Sequence, residues 1–362
     1  MNKYLIQKYA LFNEKVSNKT TGFTDLLRSF VKSNLIQMAA FAAVLMVVQS
    51  LCEQGILSRY WITSLATTFS MSIAAVGFCL LMGYSGLASL GTGGFIGIGC
   101  YSIHFVFEES GLPFFAALGV AIGVAVVIGV IVGFMSLRIE GIYLVILTLA
   151  ISEILKKVYV AIRAKVPSVD LVIAGFEFEK KTFVYFIIVV LAVIMLITAN
   201  LIKSPTGRAM LAMKNSTAAA QAMGIGLLKY RLMAFVLCTA YAAIAGAMLT
   251  LVITTDASAA NGYFAVITSL NILAAVIIGG YKSIFGSVAG CFIMYALDTV
   301  VLQKVELFTQ YPDIIPFISG ILVIVIVMFY PGGLAQLVIE LKGKIKVLWK
   351  KLREARYGKD LG

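Results

Sequence analysis

Few residues in this sequence could carry out covalent chemistry. His104 is the single histidine of the chain, so no serine–histidine or cysteine–histidine pair can form away from it. The five cysteines lie in or beside apolar runs without a C-x-x-C spacing, which is typical of small packing residues. The G-x-x-x-x-G-K-[ST] phosphate loop is missing. The sequence therefore predicts no enzyme, no metal site and no cofactor bound by this chain.

Two acidic residues inside apolar runs are further candidates. Glu153 and Asp298 each lie within a predicted membrane span, where an ionisable side chain is costly and is usually kept for function. Glu153 has a second explanation, because Lys156 and Lys157 follow at i+3 and i+4 and can pair with it on a helix surface. Asp298 lies near the end of its span, where its side chain can instead reach water. Both explanations stay open.

The strongest local signal is GYSGLASLGTGGFIGIGCY, which begins at residue 83 in a run without charge between Arg59 and Glu108. We call residues 83–94 the glycine break. Backbone groups in lipid must be paired, so non-helical backbone is tolerated only against protein or along a water-filled path. Broken helices of this kind commonly line transport routes. The predicted path residues are Tyr84, Ser85, Gly86, Ser89, Thr92, Gly93 and Gly94.

Close packing of small residues between helices is the alternative for the glycine break, and the Gly93/Gly97 spacing suits it. The two interpretations are compatible. A second glycine cluster, IIGGYKSIFGSVAG, occupies 277–290, and its relation to the first is left open. Two further pairs are predicted to be ordinary helix contacts: Gly119/Gly123 and Gly129/Gly133.

The composition of the chain indicates that the glycine break lies within a bundle of membrane-spanning helices. The chain has 362 residues, 61% hydrophobic and 13% charged, whereas soluble domains carry about 25% charged residues. A span needs roughly 17 to 25 apolar residues. The sequence predicts an all-α, polytopic transmembrane helix bundle of about ten spans with discontinuous helices. The predicted spans are 34–52, 61–82, 90–107, 113–136, 141–160, 182–202, 231–254, 263–280, 285–303 and 313–331.

Lysine and arginine predict the orientation. Six lie in the basic arm 1–33, eight in the basic tail 341–362, and five in 203–231. Basic loops stay in the cytoplasm, so both termini and the 203–231 loop are predicted to be cytoplasmic, with 34–340 as a multi-pass domain in the cell (inner) membrane. The segment 156–181 is then external although it holds six basic residues. The net charge of +12 is thereby assigned to loops and tails rather than to nucleic-acid binding.

The segment 203–231 is about 29 residues long, whereas most connections have about 4–6. Ser204-Pro205 predicts a helix start and Gly224 its end. We interpret the segment as one long, basic helix with small residues at its centre, which docks another protein. A helix lying on the membrane is the alternative. The predicted docking residues are Gly207, Arg208, Ala218, Ala219, Ala220 and Gly224.

Ordered blocks of the sequence resemble one family. SPTGRA with AAAQAMGIGLLKYRLMAFVLCTAYAAIAGA is similar to the cytoplasmic coupling motif of ABC importer permeases, in the form found in branched-chain amino-acid permeases. GYSGLASLGTGGFIGIGCY is similar to the family's G-Y-x-G-x-x-S-L-G stretch, and LRIEGIYLVILTLAISEI to its L-R-x-x-G-I-Y-x-x-x-x-T-L-A block. ILAAVIIGGYKSIFGSVAG and YPGGL match late blocks. The resemblance is to the LivM-type subunit and covers about residues 60 to 340.

This resemblance implies a permease subunit that forms the translocation path for branched-chain amino acids in an ATP-binding-cassette importer. The implied partners are a second homologous permease subunit, two cytoplasmic ATPase subunits that use the ATP, an external substrate-binding protein and membrane lipid. The docking residues of 203–231 become the ATPase coupling site. The carboxylate of an amino acid can meet the half-helix N-terminus near Ser89–Gly93.

The sequence departs from the family at three positions. Leu87 replaces the usual glutamine, Thr92 a common histidine, and Thr217 the usual glutamate of the coupling motif. The same machinery carrying a sugar, a nucleoside or urea and short amides is therefore the first alternative. An ion-coupled secondary transporter and a membrane scaffold without transport are the other classes.

Overall fold

The computed structural model describes residues 34–53, 60–111, 113–136, 142–162, 172–173, 176–177, 180–251 and 264–296, with separate positions between 320 and 340. The predicted arm and tail lie outside these described residues, as does most of the predicted tenth span. The described helices are α1 (Asn34–Glu53), α2 (Tyr60–Leu80), α3 (Thr92–Ile103), α4 (Phe114–Ser136), α5 (Ile142–Ile162), α6 (Lys180–Lys203), α7 (Pro205–Asn215), α8 (Thr217–Ala222), α9 (Leu227–Thr250), α10 (Val266–Gly279) and α11 (Ile284–Cys291).

Among the described residues, three helices continue into wider π-helical turns, and one short β-hairpin lies between α5 and α6. The π turns are Leu81–Ser85 after α2, His104–Glu109 after α3 and Phe292–Ala296 after α11. The strands β1 (Val172–Ile173) and β2 (Phe176–Glu177) pair antiparallel, a small addition to the predicted all-α fold.

Apolar length supports the predicted bundle. In the part of the chain that the structure describes, four helical stretches are long and apolar enough to cross a membrane: Thr63–Ser85, Phe114–Ser136, Phe183–Lys203 and Leu227–Thr250. Shorter apolar helices coincide with four more of the predicted spans: Ile36–Ser50, Thr92–Val106, Val266–Gly279 and Ile284–Ala296. The helical membrane bundle is confirmed, while the count of ten spans stays a prediction.

The centre of the bundle is formed by α2, α3 and α9. The apolar window of α2 is 89% buried, whereas that of α4 is 28% buried, so α2 is central and α4 peripheral. Between α3 and α9 the backbones meet directly, because Gly99 faces the Ala243 carbonyl and Gly246 faces the Ile96 carbonyl. The Cys100 thiol donates to the Gly246 carbonyl over 3.0 Å. The described cysteines are free and buried, as expected of packing residues.

The second glycine cluster joins α10 to α11. Gly279 on α10 and Gly286 on α11 each face the other's backbone carbonyl, so the two helices pack without side chains between them. The helix α10 is a few residues shorter than the predicted span 263–280: it has 14 residues, and a helix of that length rises about 21 Å. The hydrocarbon core is about 30 Å thick.

Two further expectations are corrected. The segment 203–231 is not one helix: Ser216 has extended backbone (φ −158°, ψ 110°) and separates α7 from α8. The predicted Gly119/Gly123 contact is wrong for the described part of the chain, because a β-carbon at either glycine meets nothing there within 4 Å. Gly129 and Gly133, by contrast, do contact α9 as predicted.

Candidate functional site

The glycine break opens at the end of α2. The π turn Leu81–Ser85 ends at Gly86, whose left-handed backbone (φ 74°, ψ 15°) is strained for any residue with a β-carbon. The N–H groups of Gly86 and Leu87 both donate to the Leu81 carbonyl. Residues 86–91 are then non-helical, and α3 begins at Thr92. The predicted helix break is therefore present, with its sharp turn at Gly86.

Hydroxyl groups from other helices accept hydrogen bonds from N–H groups of the glycine break that have no partner within their own helix. The Gly93 N–H donates to Ser269 Oγ over 2.8 Å, and the Gly94 N–H donates to Ser152 Oγ over 3.1 Å. The Leu90 N–H donates to Thr148 Oγ1 over 3.1 Å. A helix N-terminus leaves its first N–H groups without partners inside the helix. Here α5 and α10 supply those partners, so a carboxylate at this N-terminus would have to displace them.

Two buried hydroxyls flank the non-helical residues. Ser85 is 5% exposed and Thr92 is 3% exposed. Neither hydroxyl oxygen has a hydrogen-bond partner among the described residues. Buried polar groups nearly always have a partner, which is water or a ligand where the protein supplies none. These two hydroxyls are therefore the buried side-chain groups of the glycine break that the described residues leave without a partner.

The predicted path residues divide into two groups. Gly86 is exposed and Tyr84 is half-buried, whereas the others are buried within the bundle. A β-carbon at Gly93 would lie 2.8 Å from the Ala265 carbonyl, and one at Gly94 would lie 3.0 Å from Ser152 Cα. The packing alternative thus describes Gly93 and Gly94, and their role in a path stays a prediction. The buried group is Ser85, Ser89, Thr92, Gly93 and Gly94.

Several residues around the glycine break were missed by sequence reasoning. Thr148 and Ser152 lie four residues apart, so they share one face of α5, and that spacing was a usable signal. Ser269 and Lys214 lie far from residues 83–94 in the sequence and carried no such signal. Tyr159 also contributes, since its hydroxyl donates to the Gly94 carbonyl over 2.7 Å.

The interhelical segment, residues 204–226, connects α6 to α9. Ser204 accepts from the Gly207 N–H, so the predicted start at Ser204-Pro205 is confirmed. Ser216 accepts from the Ala219 N–H and thereby begins α8. The segment turns after α8 at Gly224, which has φ 79°. Two short capped helices therefore replace the single helix expected from the sequence.

The predicted docking residues differ in exposure. Arg208, Ala218, Ala219 and Gly224 are exposed, whereas Gly207 and Ala220 are buried. Gly207 lies against the backbone carbonyls at the end of α6. Gly207 and Ala220 thus hold the interhelical segment on the bundle, and α8 leaves a surface of small side chains open. Docking at that surface stays a prediction.

The fold is that of a membrane-embedded bundle of apolar helices, with a broken central helix and a long capped connection. The family described as branched-chain amino acid transport system / permease component matches residues 60–327. The chain belongs to this family, so the resemblance inferred from the sequence is confirmed. A permease of this kind is one component of a multi-subunit ABC transport system.

Two curated relatives are similar along most of the chain. The high-affinity branched-chain amino acid transport system permease protein LivM of Salmonella typhimurium is 26% identical over 339 residues, which cover 84% of this chain and 76% of the relative. LivM of Escherichia coli is 25% identical over 337 residues, with the same coverage of both chains. No solved structure matches this chain.

Proposed function

We propose that this permease forms the translocation path for branched-chain amino acids in an ATP-binding-cassette importer. The cargo is suggested by the names of the two LivM relatives. ATP is hydrolysed by two separate ATPase subunits on the cytoplasmic side of the cell membrane. A second, homologous permease subunit completes the path, and an external binding protein delivers the amino acid.

The glycine break is the observation that carries this proposal. A break in a central helix places non-helical backbone inside the bundle, as expected of a transport route. The buried hydroxyls of Ser85 and Thr92 can bind the polar groups of an amino acid as it passes. The surrounding apolar walls suit a leucine, isoleucine or valine side chain, because burial of apolar surface is favourable.

Coupling to ATP hydrolysis is assigned to the interhelical segment. The small exposed residues Ala218 and Ala219 allow another protein to approach α8 closely. The buried face of the segment includes Met210 and Met213, which are 0% and 1% exposed. A segment anchored on one face and open on the other can pass a displacement from the ATPase to the bundle.

Uptake by the whole transporter tests this function. The complex is purified through a tag on this chain, reconstituted into liposomes, and supplied with ATP and binding protein. We expect ATP-dependent uptake of labelled leucine, with isoleucine and valine as competitors, and two ATPase chains in the purified complex. ATP-dependent uptake of ribose, adenosine or urea instead of leucine would change the proposed cargo, while the proposal of an ATP-binding-cassette importer would stand. Uptake driven by an ion gradient without ATPase subunits would overturn the proposal.

A further inference from the structure

The end of α2 is held by a side chain from the interhelical segment. The Lys214 ammonium donates to the Gly83 carbonyl over 2.7 Å and to the Met82 carbonyl over 3.1 Å. The last carbonyls of a helix lack partners inside it, and a lysine near that end also opposes the negative end of the helix dipole. Lys214 therefore caps the π turn that follows α2, at the start of the glycine break.

Lys214 also contacts the turn at Gly86 and the second glycine cluster. A β-carbon at Gly86 would lie 3.2 Å from Lys214 Cγ, so the lysine stem covers the turn closely. The ammonium lies 4.4 Å from the centroid of the Tyr281 ring, a cation–π contact. Burial lowers the pKa of the Lys214 amine, and the charge of Lys282 lowers it further. The ammonium is thus partly removed from water where it bonds to the two carbonyls.

The glycine break and the turn between α10 and α11 are also bonded to each other. The Tyr84 hydroxyl donates to the Lys282 carbonyl over 3.0 Å, and the Cys79 thiol donates to the Tyr281 carbonyl over 3.3 Å. Both glycine clusters and the last turn of α7 thus meet at one corner of the bundle. Lys214 is the side chain of the interhelical segment that reaches both clusters.

We propose that Lys214 is the positioning residue that transmits displacement of the interhelical segment to the glycine break. This inference rests on the proposed coupling of that segment to an ATPase. Lys214 lies two residues before Ser216, where α7 ends and the exposed surface of α8 begins. When the ATPase moves α8, α7 moves with it, and the ammonium leaves or regains the Met82 and Gly83 carbonyls. The end of α2 then rearranges at Gly86.

A purely structural cap is the competing explanation, and the ratio of uptake to ATP hydrolysis separates the two. Lys214→Met keeps the stem and removes the donor, whereas Lys214→Arg keeps the charge and the donors. Lys282→Met is the matched control, because Lys282 lies at the same corner, 5.8 Å from the Tyr281 ring, and is exposed. Each variant is purified as the whole complex and reconstituted with binding protein.

We expect Lys214→Met to assemble and to hydrolyse ATP within about twofold of wild type, while leucine taken up per ATP falls at least about tenfold, as for the loss of a hydrogen bond to a charged group. Lys214→Arg should restore most of the ratio, and Lys282→Met should match wild type.

A wild-type ratio in Lys214→Met would overturn the inference. So would equal loss of assembled complex in Lys214→Met and Lys214→Arg, since that result assigns Lys214 to folding alone. Absence of ATP-driven leucine uptake in the wild-type complex would instead contradict the proposed function.

Discussion

Hydroxyl groups hold the glycine break together at the scale of single residues. Thr148, Ser152 and Ser269 accept from backbone N–H groups that the broken helix cannot pair itself. A buried amide without a partner costs about 1–3 kcal/mol. The non-helical backbone is therefore stable because neighbouring helices pair its N–H groups.

Replacing one of these hydroxyls should destabilise the protein measurably. Ser269→Ala leaves the Gly93 N–H buried without its partner, so we expect a loss of about 1–3 kcal/mol in stability. The loss of stability is measured as a lower midpoint of thermal unfolding of the protein in detergent. Ser70→Ala is the control, because the Ser70 hydroxyl donates only to the Ala66 carbonyl of its own helix. Equal midpoints for the two variants would contradict the capping role of Ser269.

The turn at Gly86 is the second test at this scale. Gly86→Val places a β-branched side chain at φ 74° and against the stem of Lys214. A left-handed backbone costs such a residue roughly 1–2 kcal/mol or more. We expect assembled complex without leucine uptake, measured by size-exclusion chromatography and transport in liposomes. Gly119→Val, at an open position on α4, should transport normally. Normal uptake by Gly86→Val would remove this turn from the route.

At the scale of elements, the division of the interhelical segment separates two tasks. α7 buries Met210 and Met213 against the bundle. α8 begins again at Ser216 and exposes Ala218 and Ala219. In a single continuous helix, the residues packed on the bundle and the residues exposed for docking would share one helix axis. The cap at Ser216 allows α8 to take a different direction from α7.

The exposed surface of α8 provides the test of docking. Ala219→Glu adds a long charged side chain to a surface suited to close approach, and we expect at least about tenfold less ATPase subunit to co-purify, which corresponds to about 1.4 kcal/mol. Thr217→Glu is the control, since it adds the same charge two residues away, at an exposed position on the same short helix. Wild-type stoichiometry in Ala219→Glu would instead favour a helix that lies on the membrane.

Neighbouring residues in the sequence predict where helices begin and end better than they predict the contacts between helices. The Ser204-Pro205 start and the helix break within 83–94 follow from neighbouring residues, so the sequence predicts them correctly, whereas the position of the turn at Gly86 comes from the structure. Ser216 was overlooked because the alanine run after it dominates the helix signal, although serine is a strong N-cap residue. The hydrogen bonds of Ser269 and Lys214 to the glycine break join residues more than 130 positions apart. Only the packing of the whole bundle brings those residues together.

At the scale of the whole molecule, large apolar side chains lie on the outer surface as well as in the core, and several hydroxyls are buried among the helices. α4 exposes large apolar residues along its length, including Val120, Val127 and Ile131. Buried polar residues such as Thr68, Ser72 and Ser269 lie inside the bundle, on α2 and α10. This arrangement is the one expected where the surroundings are lipid, because the polar groups then find partners only within the protein.

Labelling of single cysteines from outside the cell measures the orientation of the bundle. The basic residues predict cytoplasmic termini and an external segment 156–181. Ser168→Cys in a cysteine-free background should react with an impermeant maleimide added to intact cells. A cysteine at Ser216 should react only after the cells are permeabilised. The reverse pattern would invert the orientation and place α8 on the outer side.

The shared capping of the glycine break limits how this permease can be recombined with its relatives. In a chimera that exchanges residues 83–94 alone, the backbone N–H groups come from one permease and the hydroxyls that accept from them come from the other. Thr148 and Ser152 on α5 and Ser269 on α10 belong to the same hydrogen-bonded unit as the break. An exchangeable module is therefore discontinuous in sequence: it includes residues 83–94, α5, α10 and Lys214 on α7.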